Sequence, residues 1–309
     1  YSQEARMYSL AAMAVTASFY FLKEKKWFWY WLFSLIAIYS HYLAIFIFPA
    51  QLLLVKKTEI KALIFSWLGI ALGYLPWLPI FFQQLSAGRS VSNSAWGGVV
   101  GGLTVKNLLL IPVKFLIGRI SLDNNLVFAV LMAVPLIVVA WLMWLGRREK
   151  WPLIWFFVPL ALIVALSWFI PVLAYFRLLF LLPAFYWLLC VKTSSRVLEV
   201  LLIFNLVTTG IYLFNPAFHR EDWKSLAKSI DSNQPVVMIP AVNAPLKYYY
   251  SGVVLATDAV PGENFSYVSY AEPIFDQALT FRGQVESAGF IPGPVQSFRG
   301  GLTLIQYIR

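Results

Sequence analysis

The chain of 309 residues is 60% hydrophobic and 12% charged, and its formal net charge is +10. Soluble domains carry about 25% charged residues, so this composition excludes a plain soluble enzyme. The basic excess is unevenly distributed along the chain. Residues 215–309 hold seven Lys/Arg and eight Asp/Glu, which leaves seventeen Lys/Arg and six Asp/Glu in the first 214 residues. A basic excess confined to the apolar part indicates a membrane surface and not nucleic acid as the partner.

Apolar runs separated by short basic clusters organise residues 5–214, which is the pattern of a polytopic α-helical membrane protein. Lys/Arg-rich loops favour the cytoplasmic side of a membrane. An even number of crossings must then separate each pair of neighbouring clusters. The four clusters are Lys23, Lys25 and Lys26; Lys56, Lys57 and Lys61; Arg147, Arg148 and Lys150; and Lys192 and Arg196.

Eight membrane segments satisfy this parity. They are residues 5–22, two short helices between Lys26 and Lys56 that meet at 40–42, and residues 62–82, 126–145, 151–170, 177–191 and 197–214. Residues 83–125 then lie outside. This stretch begins polar and flexible, and residues 107–119 are predicted to form an interfacial amphipathic helix that is too short to span.

The composition changes near residue 215, after the last segment has left the membrane. Residues 220–230, 246–250 and 275–288 have helical patterns, residues 235–239 read as a buried strand, and residues 302–308 alternate like a strand. We therefore predict two domains, a membrane domain over 1–214 and a small extracytoplasmic α/β domain over 215–309.

Six basic residues of the membrane part remain after the four clusters are counted, and the parity places all of them outside. They are Arg6, Arg89, Lys106, Lys114, Arg119 and Arg177. An outer surface that departs from the positive-inside bias in this way indicates an anionic ligand. Glu4 and Arg6 open a helix at this surface. They form either a cap and interface pair, or a site in which Glu4 binds a metal or orients a hydroxyl and Arg6 holds phosphate.

Other candidates also have two interpretations. His41, at the tip of two short helices, is either a hydrogen-bonded structural residue or part of a site. Placing the charge of Arg177 inside an apolar membrane segment costs a few kcal/mol of insertion free energy, unless the side chain reaches the lipid headgroups or has an anionic partner. Lys114 and Arg119 equally fit headgroup anchors. The sequence has no Walker loop, GxGxxG turn, Cys/His zinc pattern or HExxH, so soluble-nucleotide chemistry has no support.

Four motifs, in order, resemble the bacterial glycosyltransferases of the C superfold. They are YSQEARMYSL at 1–10, YSHY at 39–42, YLPWLP at 74–79 and FRLLFLLP at 176–183, with REDW at 220–223 also similar to prokaryotic members. Protein O-mannosyltransferases and the aminoarabinose transferases of lipid A are the most similar in kind. The resemblance covers about residues 1–190 and implies the same polytopic fold.

The resemblance implies inverting transfer of a sugar from a polyprenyl-phosphate donor to a glycan, lipid or protein hydroxyl, at the outer face of a prokaryotic plasma membrane. It implies that Glu4 is a catalytic acid beside a metal, and that cationic groups or a divalent metal stabilise the departing phosphate. The implied substrate-binding residues are Arg6, Tyr8, His41, Tyr42, Lys114, Arg119 and Arg177, with Arg6 and Arg177 on the phosphate.

Two departures from the family pattern qualify this interpretation. The family keeps its principal acid in a first outer loop, so we expect the catalytic base to precede residue 1. Leu178 stands where an aromatic residue is expected after Arg177. Two other functions stay open: a lipid-linked sugar transporter, for which we find neither half-repeats nor midplane charges, and a structural membrane subunit whose C-terminal domain recruits a partner.

Overall fold

The computed structural model describes residues 7–92, 101–122 and 124–309. The backbone divides into two compact units, Tyr1–Thr209 and Gly210–Arg309, which are described separately. Unit 1 is helical. Its elements are α1 (Tyr8–Lys23), α2 (Trp27–Ser40), α3 (Ile47–Leu54), α4 (Ile60–Tyr74), α5 (Leu78–Ser92), α6 (Val105–Ile117), α7 (Asn125–Gly146), α8 (Lys150–Leu166), α9 (Leu182–Cys190) and α10 (Ser195–Phe214), which continues into unit 2.

Three helical stretches in the described ranges are long and apolar enough to cross a membrane: Lys57–Ser86, Asn125–Gly146 and Ser195–Phe214. They contain the predicted segments 62–82, 126–145 and 197–214. The other predicted segments correspond to shorter helices, and the apolar stretches Trp27–Ser40, Tyr42–Leu54, Lys150–Leu166 and Tyr175–Cys190 each have 10–17 residues. A chain with this architecture has the helices needed for membrane association.

The prediction of two short helices around residues 40–42 is confirmed. α2 ends at Ser40, His41 is extended with φ of −156°, and the chain continues as a 3₁₀ turn, Tyr42–Phe46, into α3. This single extended residue breaks the helical hydrogen-bond ladder and turns His41 and Tyr42 in different directions.

The stretch predicted to begin polar and flexible at residue 83 starts as a helix, since α5 runs to Ser92. Gln, Ala, Arg and Ser all tolerate a helix, and Gly88 alone costs only about 1 kcal/mol. The predicted helix at 107–119 exists as α6, which begins at a Thr104 cap and ends at Gly118 with φ of +62°. However, residues 113–117 are all buried, Lys114 included, so the second half of α6 packs in the core and does not present an exposed polar face.

A polar network inside unit 1 joins four helices. The Tyr30 hydroxyl donates to Gln51 Oε1 at 2.8 Å, Gln51 Nε2 donates to Ser18 Oγ at 3.1 Å, and Trp67 Nε1 donates to the Tyr30 oxygen at 2.8 Å. Ser18, Tyr30 and Gln51 are completely buried. Because these groups lie in apolar surroundings, their hydrogen bonds fix how α1 to α4 pack together.

We expect Gln51→Leu to lower the free energy of unfolding of the purified protein by about 1 kcal/mol, because interhelical hydrogen bonds in membrane proteins average about 0.6 kcal/mol each. Denaturant unfolding in detergent measures this change. Gln83→Leu, at an exposed position on α5, is the matched control and should leave stability unchanged. Equal stability of the two variants would show that the network contributes nothing.

Unit 2 contains a five-stranded mixed sheet in the order β2-β1-β3-β5-β4. β1 is parallel to β2 and β3, whereas β5 is antiparallel to β3 and β4. Every residue of β3 is buried, and Val237, Tyr267 and Ile305 lie in the core. The elements are α11 (Trp223–Ser229), β1 (Val236–Met238), α12 (Ala244–Tyr249), β2 (Val254–Leu255), β3 (Phe265–Ser269), α13 (Glu272–Phe275), α14 (Thr280–Ser287), β4 (Ile291–Phe298) and β5 (Leu302–Ile308).

The predicted helix at 275–288 is interrupted. Leu279 has φ of +52°, and the Asp276 carboxylate accepts hydrogen bonds from the backbone N–H groups of Thr280 and Phe281 at 2.7 and 3.0 Å. Asp276 thus provides a start signal for α14, and α13 is a separate turn. The predicted strands at 235–239 and 302–308 are confirmed as β1 and β5, whereas the sequence interpretation missed β2, β3 and β4.

Candidate functional site

A 3₁₀ segment, Tyr175–Leu181, organises the candidate site. It lies against α1 and α6, and the buried side chains of Leu178, Phe180 and Leu181 anchor it. Because a 3₁₀ helix has three residues per turn, Tyr175 and Arg177 leave the segment in different directions. One face of the segment therefore carries Tyr175 towards Lys114, and the other carries Arg177 towards α1 and His41.

Aromatic rings surround His41 on the Arg177 face. The His41 ring centroid lies 5.6 Å from that of Tyr8 and 5.9 Å from that of Phe180, and Tyr8 makes an edge contact with Phe176 at 5.8 Å. Arg177 interacts electrostatically with both His41 and Tyr8. We call Tyr8, His41, Phe176, Arg177 and Phe180 the Arg177 cluster.

The Arg177 guanidinium is half-buried. Its Nη1 donates to the Pro171 carbonyl at 3.2 Å, and its Cζ lies 5.7 Å from the Phe176 ring. Within the described part of the chain it forms no ion pair with a carboxylate. A guanidinium has five N–H donors, so the group retains donors and a charge that no described acid neutralises.

His41 is the second polar group of the cluster, and it is 8% exposed. Its Nδ1 atom is buried and has no hydrogen-bond partner among the described residues. Most buried polar atoms in native proteins have a partner. An imidazole nitrogen without a hydrogen-bond partner, near a guanidinium without a described carboxylate partner, is the arrangement expected of a site that binds an anionic, hydrogen-bonding ligand.

Lys114 lies on the other face of the 3₁₀ segment. Its Nζ donates to the Ile120 carbonyl at 2.5 Å and lies over the rings of Phe128 and Tyr175, at 5.3 and 6.0 Å from their centroids. Burial, and then the charge of Arg119, lower the pKa of Lys114 to about 8. The structure thus brings Lys114 and Arg119 together, in a second cationic group separate from Arg177.

Tyr42 faces away from the cluster although it follows His41 directly. Its hydroxyl donates to Gln84 Oε1 and accepts from Trp77 Nε1 at 3.0 Å, and its ring packs on Phe81 at 5.1 Å. These contacts place Tyr42 in an aromatic group between α2 and α5. The YLPWLP motif therefore contacts YSHY through Trp77 and Tyr42.

Glu4 and Arg6 lie outside the described residues, as does Asp123. In the ranges that the structure describes, no three His, Cys, Asp or Glu side chains come together as a metal site. The Arg177 cluster offers one imidazole beside a guanidinium that repels divalent cations, so its own donors do not fit a metal. A metal at this surface stays a prediction that depends on Glu4.

The REDW motif belongs to unit 2 and has local roles there. Asp222 caps α11 by accepting from the Ser225 N–H at 3.1 Å, and Glu221 Oε1 accepts from the Tyr270 hydroxyl, also at 3.1 Å. Burial, with the Glu221 charge, raises the pKa of Tyr270 to about 12. Trp223 packs its ring against Tyr270 at 5.1 Å. These contacts tie the start of α11 to the sheet.

Sequence reasoning did not include Phe176, Phe180 or Gln84 among the site residues. Phe176 and Phe180 belong to the FRLLFLLP motif, but an apolar run gives no indication of which rings face a polar group. Gln84 lies 42 positions from Tyr42 in the sequence, so only the folded chain shows that contact.

Comparison with family models, curated proteins and solved structures found no match to this chain. The family resemblance therefore rests on the motifs alone.

Proposed function

We propose that the protein is a membrane-embedded glycosyltransferase that transfers a sugar from a polyprenyl-phosphate donor to an acceptor hydroxyl at the outer face of the membrane. The observation that carries the proposal is the Arg177 cluster, in which a guanidinium without a described carboxylate partner and an unpaired imidazole meet. A phosphate leaving group needs such fixed positive charge in a poorly hydrated site.

The separation of charges within unit 1 supports the proposed orientation. Tyr8 lies at the start of α1, near Arg177. The basic residues at the other end of α1 have aromatic or carboxylate partners. Lys23 lies over the Trp151 and Trp187 rings, and Lys25 pairs with Glu59 at 2.7 Å. Lys192 pairs with Glu149 at 2.9 Å. These paired cations fit cytoplasmic loops, whereas Arg177 is available to an anionic ligand.

Each residue of the cluster has a chemical role in this proposal. Arg177 donates hydrogen bonds to the phosphate oxygens and stabilises the charge that grows on them as the sugar leaves. His41 adds a ring N–H, and the Phe176 and Phe180 rings keep water from the phosphate. Glu4 orients the acceptor side or a metal.

The direct test is a transfer assay with the full-length protein in detergent or nanodiscs, with polyprenyl-phosphate mannose and polyprenyl-phosphate pentose as donors. We expect product with inverted anomeric configuration, and about tenfold slower turnover in Glu4→Gln, the size of effect typical for a residue that supports a metal or ligand from behind. Glu24→Gln, in the predicted cytoplasmic loop, is the control. Absence of transfer from both donors, with the protein folded, would contradict the proposal.

A further inference from the structure

Unit 2 carries a group of exposed tyrosines at the end of α12. Tyr248 is 81% exposed and Tyr249 is 50% exposed, and their rings make an edge contact at 4.9 Å. The Tyr250 ring folds over the backbone of Gly252, so closely that a Cβ atom there would lie 2.5 Å from the ring. Val253 follows this turn and is 75% exposed. We name this surface the tyrosine patch, and it consists of Lys247, Tyr248, Tyr249, Tyr250 and Val253.

The core of unit 2 does not explain the tyrosine patch. Leu246 is the buried residue of α12 and fixes that helix to the unit, whereas the rings of Tyr248 and Tyr249 point away from the core. Contiguous exposed apolar surface marks a site of interaction with a protein or a membrane. Tyrosine combines an apolar ring with a polar tip, and it is enriched where lipid headgroups meet water. The residue types of the patch therefore favour a membrane surface.

The charge around the patch also fits lipid headgroups. Residues 232–257 contain Lys247 and no Asp or Glu, although residues 215–309 as a whole hold more acidic than basic residues. Lys247 is exposed, and a lysine can pack its stem on apolar groups while its ammonium reaches a phosphate. Anionic lipids attract such a cation. The patch thus offers one positive charge and no negative charge to an anionic surface.

The path of the chain keeps the patch near the end of α10, which is long and apolar enough to cross a membrane. His219 Nε2 donates to the Tyr212 carbonyl at 2.7 Å, and the two rings lie 5.4 Å apart. The chain therefore folds back on the last turn of α10. α11 begins at Trp223, four residues after His219, which is at most about 14 Å of extended chain. α12 packs against α11, and all of these residues belong to unit 2.

We propose that the tyrosine patch docks unit 2 on the headgroup region of the membrane that α10 crosses. The rings of Tyr248 and Tyr249 enter this region, and Lys247 contacts lipid phosphate. The headgroups add about 5 to 8 Å on each side of the hydrocarbon core, which is enough to hold side chains but not a whole sheet. Because α10 keeps unit 2 attached to the bilayer, a small patch is sufficient for docking. The inference goes beyond the proposed function and does not depend on sugar transfer.

The strand order predicts which edge of the sheet contacts lipid. β2 begins directly after Val253 and forms one edge of the sheet, and β4 forms the other. Four spacings of about 4.8 Å separate these edges, which gives about 19 Å. Val295 on β4 is 57% exposed. The docked unit therefore holds Val253 in the headgroup region and Val295 in water.

The test compares fluorescent labels at these two valines in the full-length protein, reconstituted with a single copy in each nanodisc so that a second copy cannot cover the patch. Cys190→Ser removes the cysteine of the chain, and either Val253→Cys or Val295→Cys then carries the label. We expect nitroxide-labelled phosphatidylglycerol to quench the Val253 label. Iodide in the buffer should quench this label about threefold less than the Val295 label, because groups in the headgroup boundary are removed from bulk water.

Two variants separate the patch from its surroundings. Tyr248→Ser combined with Tyr249→Ser should raise iodide quenching of the Val253 label to the level of the Val295 label. Both tyrosines are exposed, so the fold should be kept, and circular dichroism checks this. Ile291→Ser removes an exposed apolar side chain from the β4 edge and is the matched control. It should leave the quenching of both labels unchanged.

Two results would overturn the inference. Equal iodide quenching of the labels at Val253 and Val295, with the tyrosines intact, would show that the patch lies in water. Protection of the Val253 label from iodide without quenching by the nitroxide lipid would show that a protein surface covers the patch. Neither measurement involves sugar transfer, so the outcome is independent of whether the protein is a glycosyltransferase.

Discussion

Arg177→Ala is expected to lower kcat/KM for the lipid-phosphate donor by about a hundredfold or more, the effect usually seen when a positioned donor to a developing oxyanion is removed. The guanidinium is half-buried, donates to the Pro171 carbonyl and lies near the Phe176 ring. Steady-state transfer kinetics with varied donor concentration measure the loss.

The conservative variant separates a ligand-binding role from a structural one. Arg177→Lys keeps the charge but loses the planar fork that bonds two phosphate oxygens, so we expect intermediate activity. Arg148→Ala removes an exposed arginine elsewhere in unit 1 and should have normal kinetics. Normal donor kinetics in a folded Arg177→Ala protein would show that the cluster does not hold the phosphate.

Arg282→Ala is expected to destabilise unit 2 by about 3 kcal/mol, the lower end for breaking a buried ion pair, because Arg282 is partly exposed. Glu272 is buried and accepts from Arg282 Nε and Nη2 at 2.9 and 2.7 Å, and from Tyr267 and Ser269 at 2.8 Å each. Without Arg282, its carboxylate stays buried without a counter-charge.

Hydrogen exchange of the peptide that contains β3 measures this loss, and about 3 kcal/mol corresponds to roughly a hundredfold faster exchange. Peptides of α1 to α9 are an internal reference that should not change. Lys228→Ala, which removes an exposed cation from the same unit, is the matched control. Unchanged β3 exchange in Arg282→Ala would show that the ion pair does not stabilise the sheet.

The Glu272–Arg282 ion pair also predicts that the stability of unit 2 depends on pH. Burial by itself would raise the pKa of Glu272, but hydrogen bonds from Arg282, Ser269 and Tyr267 lower it below its ordinary value. A depressed carboxyl pKa contributes stability above the unfolded pKa of about 4.3. That contribution is lost as the pH falls through the folded pKa. The difference in the stability of unit 2 between wild type and Arg282→Ala should therefore be largest at neutral pH and should become smaller in acid.

Several elements follow directly from sequence patterns. The apolar runs 62–82, 126–145 and 197–214 lie within long helices, because an apolar run of this length is too long for an ordinary strand and fits a helix. The meeting of two short helices near His41 also follows from the spacing of Lys26 and Lys56. β3 was missed because a strand buried on both faces has no alternation to detect, and the break at Leu279 depends on a cap by Asp276.

For the candidate site, the sequence identified the residue types and the structure decided which of them meet. Charge counting singled out Arg177, Lys114 and Arg119 as cations that the predicted cytoplasmic clusters leave over, and the motifs singled out Tyr8 and His41. Whether these residues share one site depends on the 3₁₀ segment, which directs Arg177 to His41 and Tyr175 to Lys114.

Composition and hydrophobic patterning by themselves determined that this chain has apolar helices of membrane-spanning length and a separate polar C-terminal part. Both features depend on local sequence and solvent, which act residue by residue. Only the tertiary structure decided that His41 and Tyr42 belong to different clusters, and that Arg177 lies near His41 and Tyr8. Those outcomes depend on packing between elements distant in sequence, and no local pattern records that packing.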